Sequence, residues 1–294
     1  MFPQPLYNPS RVNPAFKLRY TWFGWPTSGY NLRWPVGFLD QIKPSWESDG
    51  LRLLESHVET TEVRLLFSAL PVVSPVYIAA RAKGRLAYAM RTSGIKGEFS
   101  RKLAVRSIGD NTTAEVQNYI SQQVVAEKFV DPKFSEQLQS CTIDFPDVDL
   151  TLPTEVTRAR YWYDLHIVLV TERRSRIVDI ATLCCIRDAC IAIAKKKDHH
   201  LSRLSAMPDH LHLALRGNPR ESPAAIVAAF QNNLVYVLGQ KRVWVDNYYA
   251  GTFGVYNMNA VRNLHNGMSE IAGLADEADS PTSKLEGVLG RPAR

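Results

Sequence analysis

The chain has 294 residues, which is enough for one large domain or for two domains of about 150 residues each. Hydrophobic residues make up 45% of the chain and charged residues 22%, a composition that excludes collagen-like, fully disordered and coiled-coil proteins. The formal charge of +6 suits an anionic partner, and the sequence has no apolar run of membrane-spanning length, so we expect a cytoplasmic protein without a membrane partner.

Proline and acidic residues divide the chain into segments. The stretch that contains Pro132, Pro146 and Pro153 is acidic and lacks a sustained apolar period, which is typical of a linker, and the last residues carry few large apolar groups. We therefore predict a first domain over residues 15–130, a linker over 131–157, a second domain over 158–270 and a disordered tail over 271–294.

The first half opens with a predicted strand over Tyr20 to Trp25 and a short, proline-broken helix over residues 35–47. Residues 62–75 then show apolar alternation and end in Ser-Pro, a pair favoured as the N-cap and first residue of a helix. The apolar pattern that follows predicts this helix over residues 76–91.

The second half repeats this pattern 148 residues later, with alternation over residues 210–223, Ser-Pro at the end and a helix over 224–239. In chain order it predicts a strand over 162–171, a helix over 178–197, strands over 201–205 and 210–216, a helix over 222–238, a short strand over 252–255 and a helix over 258–264. This βαββαβ order with a trailing helix favours an α+β fold made of two tandem ferredoxin-like domains.

His210 and His212 are two residues apart in a predicted strand, so both imidazoles project from one face and can bind one cation together. The spacing alone is equally compatible with two structural histidines. The longer string Met-Pro-Asp-His-Leu-His-Leu over 207–213 resembles the HUH motif (histidine, hydrophobic residue, histidine) of the single-tyrosine transposases of insertion sequences and REP-associated elements. In that family a strand ends in a threonine and two arginines, similar to residues 170–174 here.

The resemblance also implies where a catalytic tyrosine belongs: ten residues beyond the second glycine of a Gly-Thr-Val-Gly turn, within a Tyr-Ile-x-x-Gln pattern. In the second half, counting from Gly254, this position is Leu264, so the nucleophile is missing there. In the first half, counting from Gly109, it is Tyr119, followed by Gln123 at the glutamine position. Taken singly, Tyr119 is better explained as an ordinary tyrosine of an amphipathic helix, and only its combination with the complementary losses of the two halves favours a catalytic role.

The first half has Glu62 and Arg64 at the positions that correspond to the two histidines, so each half lacks what the other keeps. The resemblance therefore implies a tandem fused pseudo-dimer with one composite site. Tyr119 is then the nucleophile that forms a 5′-phosphotyrosine, and His210, His212 and Gln123 hold Mg²⁺ or Mn²⁺.

The partner implied by the resemblance is single-stranded DNA with hairpin-containing ends, which the chain would cleave and rejoin. Basic residues offered as DNA contacts are Arg19, Arg33, Arg173, Arg174, Lys195, Lys196 and Lys197. The lysine run is also compatible with a solvated helix end. Two other functions remain open at this point: an HUH nickase that processes repeat elements, and a domesticated protein that binds DNA hairpins without cleaving them.

Overall fold

Two six-stranded sheets organise the chain in the computed structural model, which describes residues 5–9, 14–27, 33–127, 129, 131–239 and 242–254. All of these residues belong to one compact unit. The mixture of sheets and helices confirms the α+β class. The predicted helix over 258–264 and the predicted tail over 271–294 lie outside the described residues.

The strand, helix, strand and helix predicted in the first half occur in that order, with a short 3₁₀ turn at Phe38–Gln41 before the first α-helix. The strands at Ala15–Lys17 and Leu51–Val58 were not predicted. The elements of this half are β1 (Ala15–Lys17), β2 (Arg19–Pro26), α1 (Lys43–Ser48), β3 (Leu51–Val58), β4 (Val63–Ala69), α2 (Pro75–Thr92), β5 (Phe99–Ile108), α3 (Thr113–Ser121), α4 (Gln123–Ala126) and α5 (Pro132–Gln139).

The elements of the second half also occur in the predicted order, preceded by three short strands. They are β6 (Thr142–Asp144), β7 (Thr154–Val156), β8 (Ala159–Trp162), β9 (Asp164–Thr171), α6 (Ile180–Lys196), β10 (His200–Ala206), β11 (His210–Arg216), α7 (Pro223–Val237) and β12 (Trp244–Thr252). In this structure β11 has the predicted bounds, and the βαββαβ order of β9 to β12 is confirmed.

Five strands follow equivalent orders in the two sheets. The first sheet runs β3-β4-β2-β5-β8-β7 and the second runs β6-β10-β11-β9-β12-β1, so that β3-β4-β2-β5-β8 corresponds to β10-β11-β9-β12-β1. The sixth strands, β7 and β6, lie at opposite edges of this shared arrangement. In each sheet the central strands pair antiparallel, and one strand from the other half joins in parallel: β8 beside β5, and β1 beside β12. Because β1 leads directly into β2, and β8 into β9, each of these chain segments crosses from one sheet to the other.

The two glycines that align in the repeat meet where the halves touch. The Gly109 N–H donates a hydrogen bond to the carbonyl oxygen of Gly254 (3.2 Å). A Cβ on Gly109 would collide with the backbone of Thr252, so this approach requires glycine. The aligned Ser-Pro pairs also serve as predicted: Ser74 and Ser222 each cap a helix by accepting a hydrogen bond from a backbone N–H of the first turn (3.3 Å).

Two segments differ from the sequence prediction. Residues 131–157 were predicted as a linker but contain a helix and two strands. Pro132 is the first residue of α5, a position that favours proline, instead of interrupting a helix. The strands β6 and β7 each extend one of the two sheets at its edge. The last described strand begins at Trp244, eight residues before the predicted start at Thr252. Exposed polar residues near Asp246 and a register shift after Trp244 obscure its alternation. Across the part of the chain that is described, no helix combines the length and the apolarity needed to cross a bilayer.

A buried carboxylate lies at the junction of the two sheets. The backbone N–H of Asp164 donates a hydrogen bond to the Ser107 hydroxyl (3.0 Å), which joins the second half to the first. Burial raises the pKa of the Asp164 carboxyl to about 7. Arg216 and Arg106 lower this pKa but do not offset the effect of burial, and Asp149 raises it further.

Asp164 should therefore make stability depend on pH. Between about pH 4 and pH 7 the folded protein keeps a proton that the unfolded chain has lost, so this group's contribution to the free energy of unfolding falls as pH rises. The slope is at most about 1.4 kcal/mol per pH unit. We expect Asp164→Asn to become progressively more stable relative to the unmodified protein across this range. Urea unfolding at several pH values measures the difference, and a difference that stays constant with pH would contradict the prediction.

Candidate active site

Helix α3 of the first half packs on the second sheet. Val116 and Ile120 of this helix lie in one apolar cluster with Ala214 of β11. The Gln117 side chain donates a hydrogen bond to the hydroxyl of Ser202 in β10 (2.6 Å). The N-terminus of α3 carries a capping box in which Thr112 and Glu115 satisfy each other's backbone N–H groups. The helix is thus fixed to a sheet formed mainly by the other half.

This packing places Tyr119 against the two histidines of the motif. His210 and His212 project from the same face of β11, with ring centroids 4.8 Å apart. The Tyr119 ring meets the His212 ring edge to face, with centroids 5.4 Å apart. Tyr119 is 53% exposed whereas His212 is buried, so the phenol is open to solvent above a buried imidazole.

Each motif histidine has a partner on Nδ1. The carboxylate Oδ1 of Asp209 lies 2.6 Å from His210 Nδ1, and Nε2 of His166 in β9 lies 3.1 Å from His212 Nδ1. Burial lowers the pKa of His166 to about 4 and holds the pKa of His212 well below its usual range, and the neighbouring imidazoles lower the His212 pKa further. Both rings are therefore neutral at pH 7, the form in which histidine binds metal.

Oxygen ligands lie beside the histidines. Ligand atoms of Glu127, Asp209 and His210 all fall within 4.8 Å of one another, which is compatible with a shared cation. The Gln123 amide nitrogen donates to the backbone carbonyl of Tyr119 (2.9 Å), which leaves the amide oxygen as the atom available to a metal. Imidazole nitrogen together with carboxylate and amide oxygen suits Mg²⁺ or Mn²⁺, so the residues present fit the expected ion.

Two of the predicted DNA-contacting arginines lie next to this site. Arg173 and Arg174 follow β9 with positive φ angles of 55° and 51°, a conformation that non-glycine residues seldom adopt. The Arg174 guanidinium lies 3.3 Å from the Asp209 carboxylate, which itself contacts His210. Strain of this kind is often found where a side chain has to be held in one direction for function.

The other predicted DNA contacts lie elsewhere. Arg19 is paired with Asp110 (2.9 Å) near the junction of the halves. Arg33 lines a groove beside β3 of the first sheet. The run over residues 195–197 lies at the end of α6, close in the chain to the start of β10. The start of β10 pairs with Arg216, at the end of β11 that is farthest from His210. The structure therefore does not bring these residues to the tyrosine and histidines.

The first sheet carries a different pair at the equivalent strand positions. Glu62 and Arg64 lie 3.1 Å apart as an ion pair, with both side chains largely buried. At the first-sheet positions that correspond to the two motif histidines, the chain thus has groups of opposite charge that neutralise each other.

Sequence reasoning missed His166 and Glu127. His166 interrupts an apolar strand and has no motif around it, so only the pairing of β9 with β11 and β12 identifies it. Glu127 follows Gln123 by four residues, a spacing that could have indicated a shared direction in a helix.

The second half of the chain matches a known family. Residues 159–264 match the family model described as "Transposase IS200 like". This region is therefore similar to the IS200-like transposases, which supports a transposase-type class. The match contains His210 and His212, whereas Tyr119 and Gln123 lie outside it.

Two solved structures show weak similarity. One is a protein from Deinococcus radiodurans R1 described as a transposase, with 16% identity, coverage of 36% of this chain and 88% of that chain, and a TM-score of 0.29. The other is a REP-associated tyrosine transposase bound to a REP hairpin, with 14% identity, coverage of 34% and 61%, and a TM-score of 0.28. No curated protein sequence matches the chain significantly.

Proposed function

We propose that the protein cleaves and rejoins single-stranded DNA at one composite active site, which combines the tyrosine helix of the first half with the histidine motif of the second. The observation that carries this proposal is the contact of Tyr119 with His212 across the two halves. The complementary replacement of the histidines by Glu62 and Arg64 in the first sheet supports a single functional site.

The fold supports the further proposal that the chain is a fused pseudo-dimer acting as a monomer. Three observations support an approximate twofold relation between the halves: the equivalent order of five strands in each sheet, the reciprocal strands β1 and β8, and the meeting of Gly109 with Gly254. The proposed domains are residues 15–130 and 158–270, with 131–157 connecting them.

The chemistry follows from the groups at the site. The Tyr119 oxygen attacks the scissile phosphorus and loses its proton, the bond from phosphorus to the 3′ oxygen breaks, and that oxygen takes up a proton. The products are a 5′-phosphotyrosine link and a free 3′-OH, so the reverse attack can rejoin DNA without another energy source. His210 and His212, with Gln123 and Glu127, would hold Mg²⁺ or Mn²⁺. A bound ion would supply charge stabilisation at the phosphate.

Arg173 and Arg174 are proposed to bind the DNA backbone beside the scissile phosphate. Their cationic side chains lie at the same end of the second sheet as His210, and guanidinium groups bind phosphate in a fixed geometry. Recognition of hairpin-containing ends is proposed from the motif resemblance.

Cleavage is expected to require a divalent cation and a single-stranded substrate. A library of DNA hairpins with single-stranded flanks, incubated with Mg²⁺, with Mn²⁺ or with EDTA, tests both requirements, with the same sequences annealed to complementary strands as the control. Efficient cleavage in EDTA would refute the role of the metal. Binding of hairpins without cleavage under any of the metal conditions would favour a hairpin-binding protein instead.

A further inference from the structure

We infer that His166 is a positioning residue for the proposed cation site: it accepts a hydrogen bond from Nδ1–H of His212 and so keeps His212 Nε2 free for the ion. The inference rests on the proposed function, but it concerns metal binding and is testable without DNA.

The two rings are placed for a hydrogen bond within their planes. His166 Nε2 and His212 Nδ1 are 3.1 Å apart, the ring centroids are 5.3 Å apart, and the planes differ by 21°. A centroid separation this much longer than the nitrogen–nitrogen distance means that the rings lie side by side. Each nitrogen then points its hydrogen or lone pair at the other, which is the favourable hydrogen-bond alignment.

A single hydrogen between two neutral imidazoles decides which nitrogen can bind a metal. If His212 Nδ1 donates, His212 Nε2 carries a lone pair. If His166 Nε2 donates instead, the hydrogen of neutral His212 has to be on Nε2, where it blocks a cation. Cation binding therefore selects the first arrangement, in which His166 is the acceptor.

The surroundings of His166 fix its ring. It lies opposite Gly251 of β12, and the ring of Tyr249 takes the space that a side chain at this glycine would fill. Tyr249 and Tyr119 both meet His166 edge to face, with centroids 5.7 Å and 6.0 Å away. His166 is thus held in a set of aromatic rings that includes the proposed nucleophile.

The other motif histidine has an analogous partner of different chemistry. Asp209 accepts from His210 Nδ1, so both motif histidines have Nδ1 engaged and Nε2 available. Acceptors of this kind raise the affinity of a histidine for metal by fixing its tautomer and orientation. His166 would do this for His212 without adding a negative charge to the buried side of the site.

Titration of DNA-free protein with Mn²⁺, followed by electron paramagnetic resonance, tests the inference. We expect His166→Leu to weaken Mn²⁺ binding about 10- to 100-fold, because the acceptor is lost. His166→Gln should bind within a few-fold of the unmodified protein, since its amide oxygen can replace Nε2 as acceptor. His200→Leu removes an exposed imidazole of β10 and should leave the affinity unchanged.

A second measurement does not depend on how the leucine variant folds. In ¹⁵N-labelled protein with Mg²⁺, the His212 ring should show a protonated Nδ1 and an unprotonated Nε2. A proton on His212 Nε2 under these conditions, or unchanged Mn²⁺ affinity in a folded His166→Leu protein, would overturn the inference.

The His212→Ala variant distinguishes failure of the positioning role of His166 from failure of the proposed metal site. If it loses Mn²⁺ while His166→Leu does not, His166 has no positioning role and the proposed metal site still stands. If His212→Ala binds Mn²⁺ as tightly as the unmodified protein, both the inference and the proposed site are wrong.

Discussion

Replacing Tyr119 with phenylalanine should abolish the covalent adduct between protein and DNA. The change removes the only atom that the proposed reaction needs from this residue, and catalytic groups of this kind contribute about 10²-fold or more. Folding should be preserved, because Tyr119 is half exposed and α3 is held by Val116 and Ile120 on its other face. The adduct can be measured with a hairpin oligonucleotide labelled at its 3′ end, which stays with the protein on a denaturing gel.

Tyr88 offers a matched control for this substitution. It is an exposed tyrosine of α2, in the same half of the chain, and the repeat gives it no catalytic position. Tyr88→Phe should form the adduct at the unmodified rate, and Tyr119→Phe should still bind the hairpin. Adduct formation by Tyr119→Phe at a comparable rate would identify another nucleophile and contradict the assignment.

Mixing a Tyr119→Phe chain with a His210→Ala chain should not restore cleavage. Each chain would be inactive alone, by about 10²-fold or more. In the structure, α3 packs on β10 and β11 of its own chain, so an intact tyrosine and an intact histidine pair never meet within one molecule of the mixture. The measurement is the cleavage rate of the mixture, after joint unfolding and refolding, against the sum of the separate rates.

Recovery of activity in the mixture would show that the site forms between chains, and the single-chain pseudo-dimer would be wrong even if the chemistry were right. Arg64→Gln is a useful comparison, because Arg64 occupies the strand position in the first sheet that corresponds to His212. Its effect on the cleavage rate should be far smaller than that of His210→Ala.

Local sequence patterns were sufficient for most elements of the fold. Alternation and the Ser-Pro caps predict β11 and the start of α7 because both signals lie within a few adjacent residues. The strand exchange was beyond such patterns: β1 and β8 are three and four residues long, and their partners are more than 200 and more than 50 residues away, respectively. Nothing in a short apolar stretch specifies which sheet edge it joins.

In the candidate site, too, local sequence patterns predicted some residues and only the tertiary structure revealed others. His210, Tyr119 and Gln123 were predicted because a motif and a repeat offset identify their positions in the chain. His166 is identified only by a contact that tertiary structure creates, and Glu127 was recognised by its proximity to Asp209 and His210 although its spacing from Gln123 offered a weak sequence signal. The lysines at residues 195–197 were predicted to contact DNA from their charge alone, but they lie at the end of α6, away from the site. Charge composition does not indicate where in the fold a basic run lies.

The crossed strands also have a consequence for biosynthesis. β1 is made long before its partner β12, because the paired residues Ala15 and Tyr249 are more than 200 residues apart in the chain. A nascent chain cannot complete the second sheet until β12 has been synthesised, and contacts of such long sequence separation form late. The tyrosine helix α3 is itself made before β10 and β11, the strands on which it packs, so the proposed composite site forms only after β11 has been synthesised. A free second half would also expose the β12 edge that β1 normally covers, which favours misassembly.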